Sequence, residues 1–394
     1  MGRRDAGHAR TQLDPATGAR RVTARGGGAT VSADLFGYLP GRASPGPTAA
    51  PGPASAVARG VAVTCYTLRN VHGLTVRILD YGGIITDILA PDRSGRFASI
   101  CLGYDNLQAY EERSPYFGAL IGRYANRIAH GRFETEDGSW QLACNNGAHH
   151  LHGGVRGFDK QMWRATASAD GDTARLVLRR TSPDGEEGYP GNLDVEATYT
   201  LTADNALHLG ITARTDRTTP VSLTNHAYFN LSGTAGSTIL GHELTLHAQD
   251  YLPVDAGLIP TGGRQPVAGT PFDFRRPHPI GERIATPGDA QLHAAGGYDH
   301  HFVLRNGGAL RPAAHVRDPH SGRTLELLTN TPGLQFYSGN FLDGTDGFPY
   351  RGAFCLEPGQ FPDAPNRPQF PSALLHPGAT WRAQIVYRLG VARD

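Results

Sequence analysis

From Val61 onward, apolar residues recur at every second position in short runs separated by Gly, Pro, Asn and Asp. In NLDVEATYTLT, Leu193, Val195, Ala197, Tyr199 and Leu201 alternate with Asp194, Glu196, Thr198, Thr200 and Thr202. A period of two is that of a strand with one face in a core and the other in water. NALHLGITA follows an ADN turn with Leu207, Leu209 and Ile211 in register, which predicts a hairpin. Helical periodicity is scarce: DNLQAYEER near Asp105 and PSALL near Ser372 predict short helical turns. Many short strands, 51 glycines and no repeat of fixed period predict an antiparallel β-sandwich of two large twisted sheets, not a propeller or solenoid.

One run departs from the usual mixture. VSLTNHAYFNLSG, Val221 to Gly233, alternates too, but its polar set is Ser222, Thr224, His226, Tyr228, Asn230 and Ser232. These residues carry no formal charge and all form hydrogen bonds, whereas a solvated face usually mixes in Lys and Glu. Such a row suits a wall that holds something polar.

Residues 1–57 are rich in Gly, Ala, Arg and Pro and predict a flexible N-terminal arm, with VSADLFGYLPG at 31–41 as a strand that could dock. The sandwich then occupies residues 58–394. Lys plus Arg at 37 nearly balances Asp plus Glu at 36, so no field draws in nucleic acid or an anionic membrane, and the expected partner is a neutral small molecule. Cys65, Cys101, Cys144 and Cys355 form no C-x-x-C pair and read as reduced, buried thiols. No apolar run reaches the ~18 residues of a membrane helix and the N-terminus leads into no apolar signal region, so a cytoplasmic location is expected.

Four further stretches embed polar groups in strand-like or Gly-rich context: GRYANRIAHGRF, HHLHGGVRGFDKQMW, GGYDHHFVL and FCLEPGQFPDAPNRPQF. Arg127 offers a planar five-donor fork suited to vicinal hydroxyls, or is neutralised by a neighbouring Asp. His150 and His152 share a face if the run is extended, and could chelate a metal with His226 or Glu357, or be structural. Gly153 and Gly154 allow close approach of backbone or ligand. Glu357, ending an apolar strand, is either salt-bridged or held for proton transfer.

NRIAHGRF, LHGGVRGFDKQMW, DGEEGYPGNL, LTNHAYFNLSG, PGLQFYSGNFLDG and LEPGQFPDAPNRPQFPS, in this order, resemble the successive signature segments of the galactose mutarotase (aldose 1-epimerase) family, over roughly Val61 to Leu389. The resemblance implies a β-supersandwich and cofactor-free, metal-free interconversion of the α and β anomers of aldoses such as glucose and galactose. It implies His226 as general acid and Glu357 as general base, with His152 as a third catalytic residue. Asn126, Arg127, His152, Tyr228, Asp299 and Gln335 would bind sugar hydroxyls. Phe229, Phe336 and Trp163 are expected in the core. Family members run from an FG strand straight into a YTL strand; here Phe36-Gly37 and Tyr66-Thr67-Leu68 are separated by an Ala/Pro/Gly insert at about 42–57. Rival readings are a glycoside hydrolase using Glu357 and Asp299, a non-catalytic carbohydrate-binding sandwich, and a metal-dependent isomerase resting on the histidines.

Overall fold

The computed structural model describes residues 10–13, 20–23, 28–40, 60–305 and 308–392. Alternation decides the architecture. Leu193–Leu201 and Ala206–Thr215 pair as the predicted hairpin, with Tyr199 opposite Leu209 and buried and less buried positions alternating along each strand. They lie inside a nine-stranded sheet ordered Arg164–Asp170, Thr173–Ser182, Leu193–Leu201, Ala206–Thr215, Trp381–Val391, Arg323–Thr329, Arg311–Arg317, Glu243–Leu246 and His278–Pro279. A seven-stranded meander runs in chain order from Arg10–Leu13 to Phe97–Ser99. A six-stranded sheet takes Tyr228–Phe229, Phe354–Gly359, Gly333–Tyr337, Asp299–Leu304, Ala248–Leu252 and Gln265–Pro266.

One contiguous core joins the three sheets. Leu176, Ala197, Ile211 and Ile385 come from the nine-stranded sheet, Val76 and Ile88 from the seven-stranded one, and Leu334, Phe336 and Leu356 from the six-stranded one. Phe229, Phe336 and Trp163 belong to it, as expected. Each fully buried Leu or Phe contributes about 1.5–3 kcal/mol. The nine-stranded sheet thus forms one layer of an antiparallel β-sandwich and the two smaller sheets form the other. Where the sequence predicts one second sheet, the layer is split: at the seam the isolated Cys101 to Phe229 bridge, with the Leu102 N–H to Tyr228 carbonyl and Asn230 N–H to Ile100 carbonyl bonds, takes the place of a continuous strand ladder.

Of the arm expected over residues 1–57, Arg10–Leu13, Arg20–Thr23 and Thr30–Leu39 are strands, and Thr30–Leu39 pairs with Val61–Arg69. Phe36-Gly37 and Tyr66-Thr67-Leu68 therefore lie on adjacent strands of one hairpin. Its connection, residues 41–59, lies outside the described residues, as do Gly41 of the docking strand and residues 1–9, 14–19 and 24–27.

Two expectations of local structure fare differently. Leu107–Glu112 is a helix capped by the Asn106 side chain, as DNLQAYEER predicts. PSALL is not helical: Leu374–Leu375 is a short strand paired with Thr219–Pro220. Ser372 Oγ accepts the Leu374 N–H at 3.3 Å, but no helical turn follows, because Val221 N–H takes the Ala373 carbonyl. Cys144 is exposed, against the expectation of four buried thiols; it falls in a loop, while Cys65, Cys101 and Cys355 are buried, and all four are free. No helix among the described residues is long and apolar enough to cross a membrane.

Candidate active site

The six-stranded sheet has two faces with different duties. Phe229, Phe354, Leu356, Leu334, Phe336 and Phe302 enter the core. The alternate residues face the other way and are aligned by register: Tyr228 opposite Cys355, Cys355 opposite Tyr337, Tyr337 opposite Asp299, and Gln335 between Glu357 and His301. Strand alternation alone therefore puts Tyr228, Glu357, Gln335 and Asp299 on one surface. Loops close over it and leave a cavity of about 140 Å³, lined by Asn126, Arg127, His152, His226, Tyr228, Asp299 and Glu357 together with Tyr116, Tyr337 and Phe341.

Val221 to Gly233 is not the continuous half-exposed strand its alternation suggests. Only Thr224–Asn225 and Tyr228–Phe229 are strand, and both sides of the segment are buried. The polar row is divided between two tasks. His226 and Tyr228 line the cavity. Ser222 Oγ instead accepts the Gln360 N–H, and Asn230 Nδ2 donates to the carbonyls of Ser237 and Gly352. Buried loop backbone needs such partners, and uncharged side chains supply them.

His226 is pinned at both backbone groups: its N–H donates to the Ala119 carbonyl at 2.9 Å and its carbonyl accepts from Gly118 N–H at 3.0 Å. Its Nε2 lies 3.5 Å from Glu357 Oε2, and both side chains are almost wholly buried. Burial pushes the imidazole down to about 3. Burial also pushes the Glu357 carboxyl well above its usual range, reinforced by the Asp299 charge and opposed by Arg127. The acid and base roles ask for a protonated His226 and an ionised Glu357; desolvation opposes both charged forms, favouring the proton on the carboxyl over the imidazole.

His152 is set differently. Its Nδ1 accepts the Asn126 N–H at 3.1 Å, while its own N–H donates to the Asn126 carbonyl at 3.1 Å. A neutral ring whose Nδ1 is an acceptor carries its proton on Nε2, so His152 presents a donor. His152, His226 and Glu357 bring ligand atoms within 4.8 Å of one another, a spacing that could hold a metal ion. The chemistry of this donor set does not fit one: binding through Nε2 would strip the His152 ring of both protons or break its bond to Asn126. His150 does not join them. It is wholly buried, with Nδ1 2.7 Å from the Ala143 carbonyl and Nε2 2.7 Å from the Tyr189 hydroxyl. His152 is at φ +54°, so the run is not extended and the two rings do not share a face. Gly153 serves backbone approach: a Cβ there would lie 1.7 Å from the Gly122 carbonyl oxygen.

Arg127 combines both readings of it. Nη1 is 3.8 Å from Asp299 Oδ2 and Nε donates to Asn146 Oδ1 at 3.1 Å, while the group still lines the cavity. Gln335 stands behind the wall, its Nε2 donating to Asp299 Oδ1 at 2.7 Å and its Oε1 3.3 Å from His301 Nδ1. The Tyr228 hydroxyl donates to the Pro115 carbonyl at 3.0 Å. Its ring stacks on His226 at 5.0 Å and 16°.

Tyr116, Asn146, Tyr337 and Phe341 escape the sequence reading. Tyr337 carries a signal in hindsight, lying two residues from Gln335 on the same strand face, whereas Tyr116 and Asn146 arrive from loops whose path no periodicity encodes. Tyr116, Asn126 and His152 all adopt positive φ, at 68°, 68° and 54°. Such backbone is uncommon outside Gly and clusters at functional sites.

Known proteins resemble this chain over most of its length. The sequence model of the family described as Aldose 1-epimerase matches residues 64–388. Galactose mutarotase of Homo sapiens is 45% identical over 325 residues, covering 81% of this chain and 92% of that protein. Aldose 1-epimerase of Escherichia coli (strain K12) is 38% identical over 333 residues, covering 82% and 94%. The crystal structure of galactose 1-epimerase from Lactobacillus acidophilus superposes with a TM-score of 0.75 at 31% identity, covering 84% of this chain and 96% of that one.

Proposed function

The chain belongs to the aldose 1-epimerase family, and on that premise we propose that it interconverts the α and β anomers of free aldoses, galactose and glucose among them, with His226 and Glu357 as the acid/base pair. The observation that carries this reading is the 3.5 Å approach of His226 Nε2 to Glu357 Oε2 inside a small buried cavity.

Anomer exchange requires a proton given to the ring oxygen and another taken from the C1 hydroxyl. The C1–O5 bond then breaks to the open-chain aldehyde, C1 turns about its bond to C2, and the ring closes on the other face. One donor and one acceptor suffice, and they exchange roles on closure. Besides the Nδ1 proton of the neutral imidazole, the pair shares one transferable proton. A C1 hydroxyl donating to Glu357 favours the carboxylate, which returns that proton to His226 Nε2. His226 then protonates O5 while Glu357 takes the C1 hydroxyl proton. On reclosure Glu357 gives its proton to the carbonyl oxygen and His226 recovers one from the C5 hydroxyl.

His152 Nε2–H, the Asn126 amide and the Arg127 guanidinium supply donors to sugar oxygens, and Asp299 accepts from sugar hydroxyls. Gln335 supports this set through Asp299. Because Asp299 is engaged by Gln335 and Arg127, it is better suited to binding than to the second-carboxylate role of a glycosidase. The catalytic unit in this reading is residues 58–394. Four free thiols support a reducing, cytoplasmic setting.

The test is the decay of optical rotation of freshly dissolved α-galactose and α-glucose. Acceleration of that decay, with no release of reducing ends from aryl galactosides, supports the reading. Binding of sugar without acceleration would make the protein a carbohydrate-binding sandwich, and aryl galactoside cleavage would make it a hydrolase.

A further inference from the structure

His226 lies between two aromatic rings. Tyr228 stacks on it at 5.0 Å and 16°, and Tyr116 lies near-parallel at 5.9 Å and 22°. Tyr116 also meets His152 edge-on at 4.8 Å, and lines the cavity. It is held there at positive φ by its carbonyl, which accepts the Ala119 N–H at 3.1 Å, the same residue whose carbonyl pins His226.

The acid role asks a buried imidazole to carry a positive charge, with the Glu357 carboxyl against its Nε2 edge. Its Nδ1 has no hydrogen-bond partner among the described residues. Besides the two tyrosines, the charged or titratable groups around it are Glu357 at 3.5 Å and the His152 ring at 5.1 Å. Farther out on the cavity wall are Arg127 and Asp299, and Lys160 Nζ, paired with Asp159 at 2.9 Å, lies 5.9 Å from the centre of the Tyr116 ring. A cation between two electron-rich ring faces is stabilised by their quadrupoles, most strongly where water is excluded.

We infer that Tyr116 is a positioning residue for the acid, its ring face together with that of Tyr228 stabilising the imidazolium form of His226 from which the ring oxygen is protonated. This rests on the acid role proposed for His226. Glu357 attracts the proton to one edge of the imidazole, and the tyrosine faces hold the charge once it is there. Without the Tyr116 face, the fraction of the pair with its proton on His226 falls, and the complex loses that proton at a lower pH.

Progressive fluorination of a phenylalanine at position 116 withdraws ring-face charge with little change of shape, so it separates this role from packing. Tyr116→Phe is expected to stay within about twofold of wild-type kcat, and Tyr116→Leu to lose roughly 3- to 30-fold. Across one, two and three ring fluorines, log kcat should fall stepwise and the alkaline limb of kcat should move to lower pH. A flat fluorine series, an unmoved alkaline limb, or Tyr116→Phe falling as far as Tyr116→Leu would overturn the inference. The fluorine series stands even if Tyr116→Leu does not fold. His226→Asn is the control for the underlying reading: near wild-type turnover there would remove the acid role itself, whereas a large loss there beside a flat fluorine series would remove only the part given to Tyr116.

Discussion

Replacing Arg123 by Met should lower Tm by about 5 °C, although Arg123 is not part of the cavity wall. Arg123 is 2% exposed and donates all five of its N–H groups. Nε goes to Ser182 Oγ at 2.7 Å, Nη1 to the carbonyls of Pro190 and Gly191 at 3.0 and 2.8 Å, and Nη2 to those of Ser182 and Pro183 at 2.9 and 2.7 Å. Ser182 Oγ in turn donates to Glu186, which pairs with Arg180. Hydrogen bonds to a charged group contribute about 1.5–3 kcal/mol each, offset by several kcal/mol for burying the ion. Met fills the volume but leaves four carbonyls and a hydroxyl without their donor, a loss of about 4 kcal/mol by comparison with broken buried charge pairs. An unfolding entropy of about 2.1 cal/mol/K per residue over 394 residues gives about 0.8 kcal/mol/K, hence the 5 °C. Calorimetry on wild type, Arg123→Lys and Arg123→Met should rank them in that order, because Lys keeps the charge and three donors. Since Arg123 also ties the loop over residues 182–191 to the segment bearing Asn126 and Arg127, KM for galactose should rise in the Met variant. A Met variant melting within 1 °C of wild type would refute the reasoning.

Acid should destabilise the fold well before ordinary carboxylates titrate. Burial pushes His150 and His242 down to about 4 and His226, His300 and His301 down to about 3 from the usual 6.5. The unfolded chain therefore binds protons first, and stability present above pH 6.5 is lost as pH falls toward 4, by about 1.4 kcal/mol per group per pH unit. The raised carboxyls of Asp80, Asp159, Asp299 and Glu357 work in the opposite sense and offset part of it. Urea midpoints should fall steadily between pH 6.5 and 4.5, and a flat profile would contradict this. Deleting residues 1–27 should leave kcat/KM within a few fold, since every cavity residue follows Ser114; a collapse with folding intact would give those residues a part in the site. Asp299→Asn should act mainly on KM, raising it roughly tenfold or more as one charge-assisted bond is weakened; a loss confined to kcat would move Asp299 into the chemistry.

The parts of the fold legible in the sequence are those with one buried face. The hairpin Leu193–Thr215 is written in its alternation because water covers its other side. Val221 to Gly233 deceives for the opposite reason: it is buried on both sides, and its hydroxyls and amides serve loop backbone as often as the cavity. The helix Ala290–Ala295 carries its own signals, an Asp289 cap and a left-handed Gly296, but six residues are too few for a helical period to stand out. In the site, His226, Glu357, Asn126, Arg127, His152 and Asp299 were reachable through ordered motifs; strand register explains why Glu357 and Asp299 share one sheet face, whereas His226, Asn126 and His152 reach them from residues outside the strands. The support given to Asp299 by Gln335, the fixed tautomer of His152 and the stacking of Tyr116 depend on which loop lies against which, and spacing along the chain does not carry that.

The central claim is that His226 and Glu357 move the protons, and single-turnover polarimetry of α-galactose with Glu357→Gln, His226→Asn and the double variant tests it most directly. Each single variant is expected to lose roughly 10²- to 10⁴-fold in kcat with sugar binding still measurable, and the double variant far less than the product of the two losses, because the residues act as a unit. A Glu357→Gln protein that mutarotates galactose at close to the wild-type rate would contradict the account.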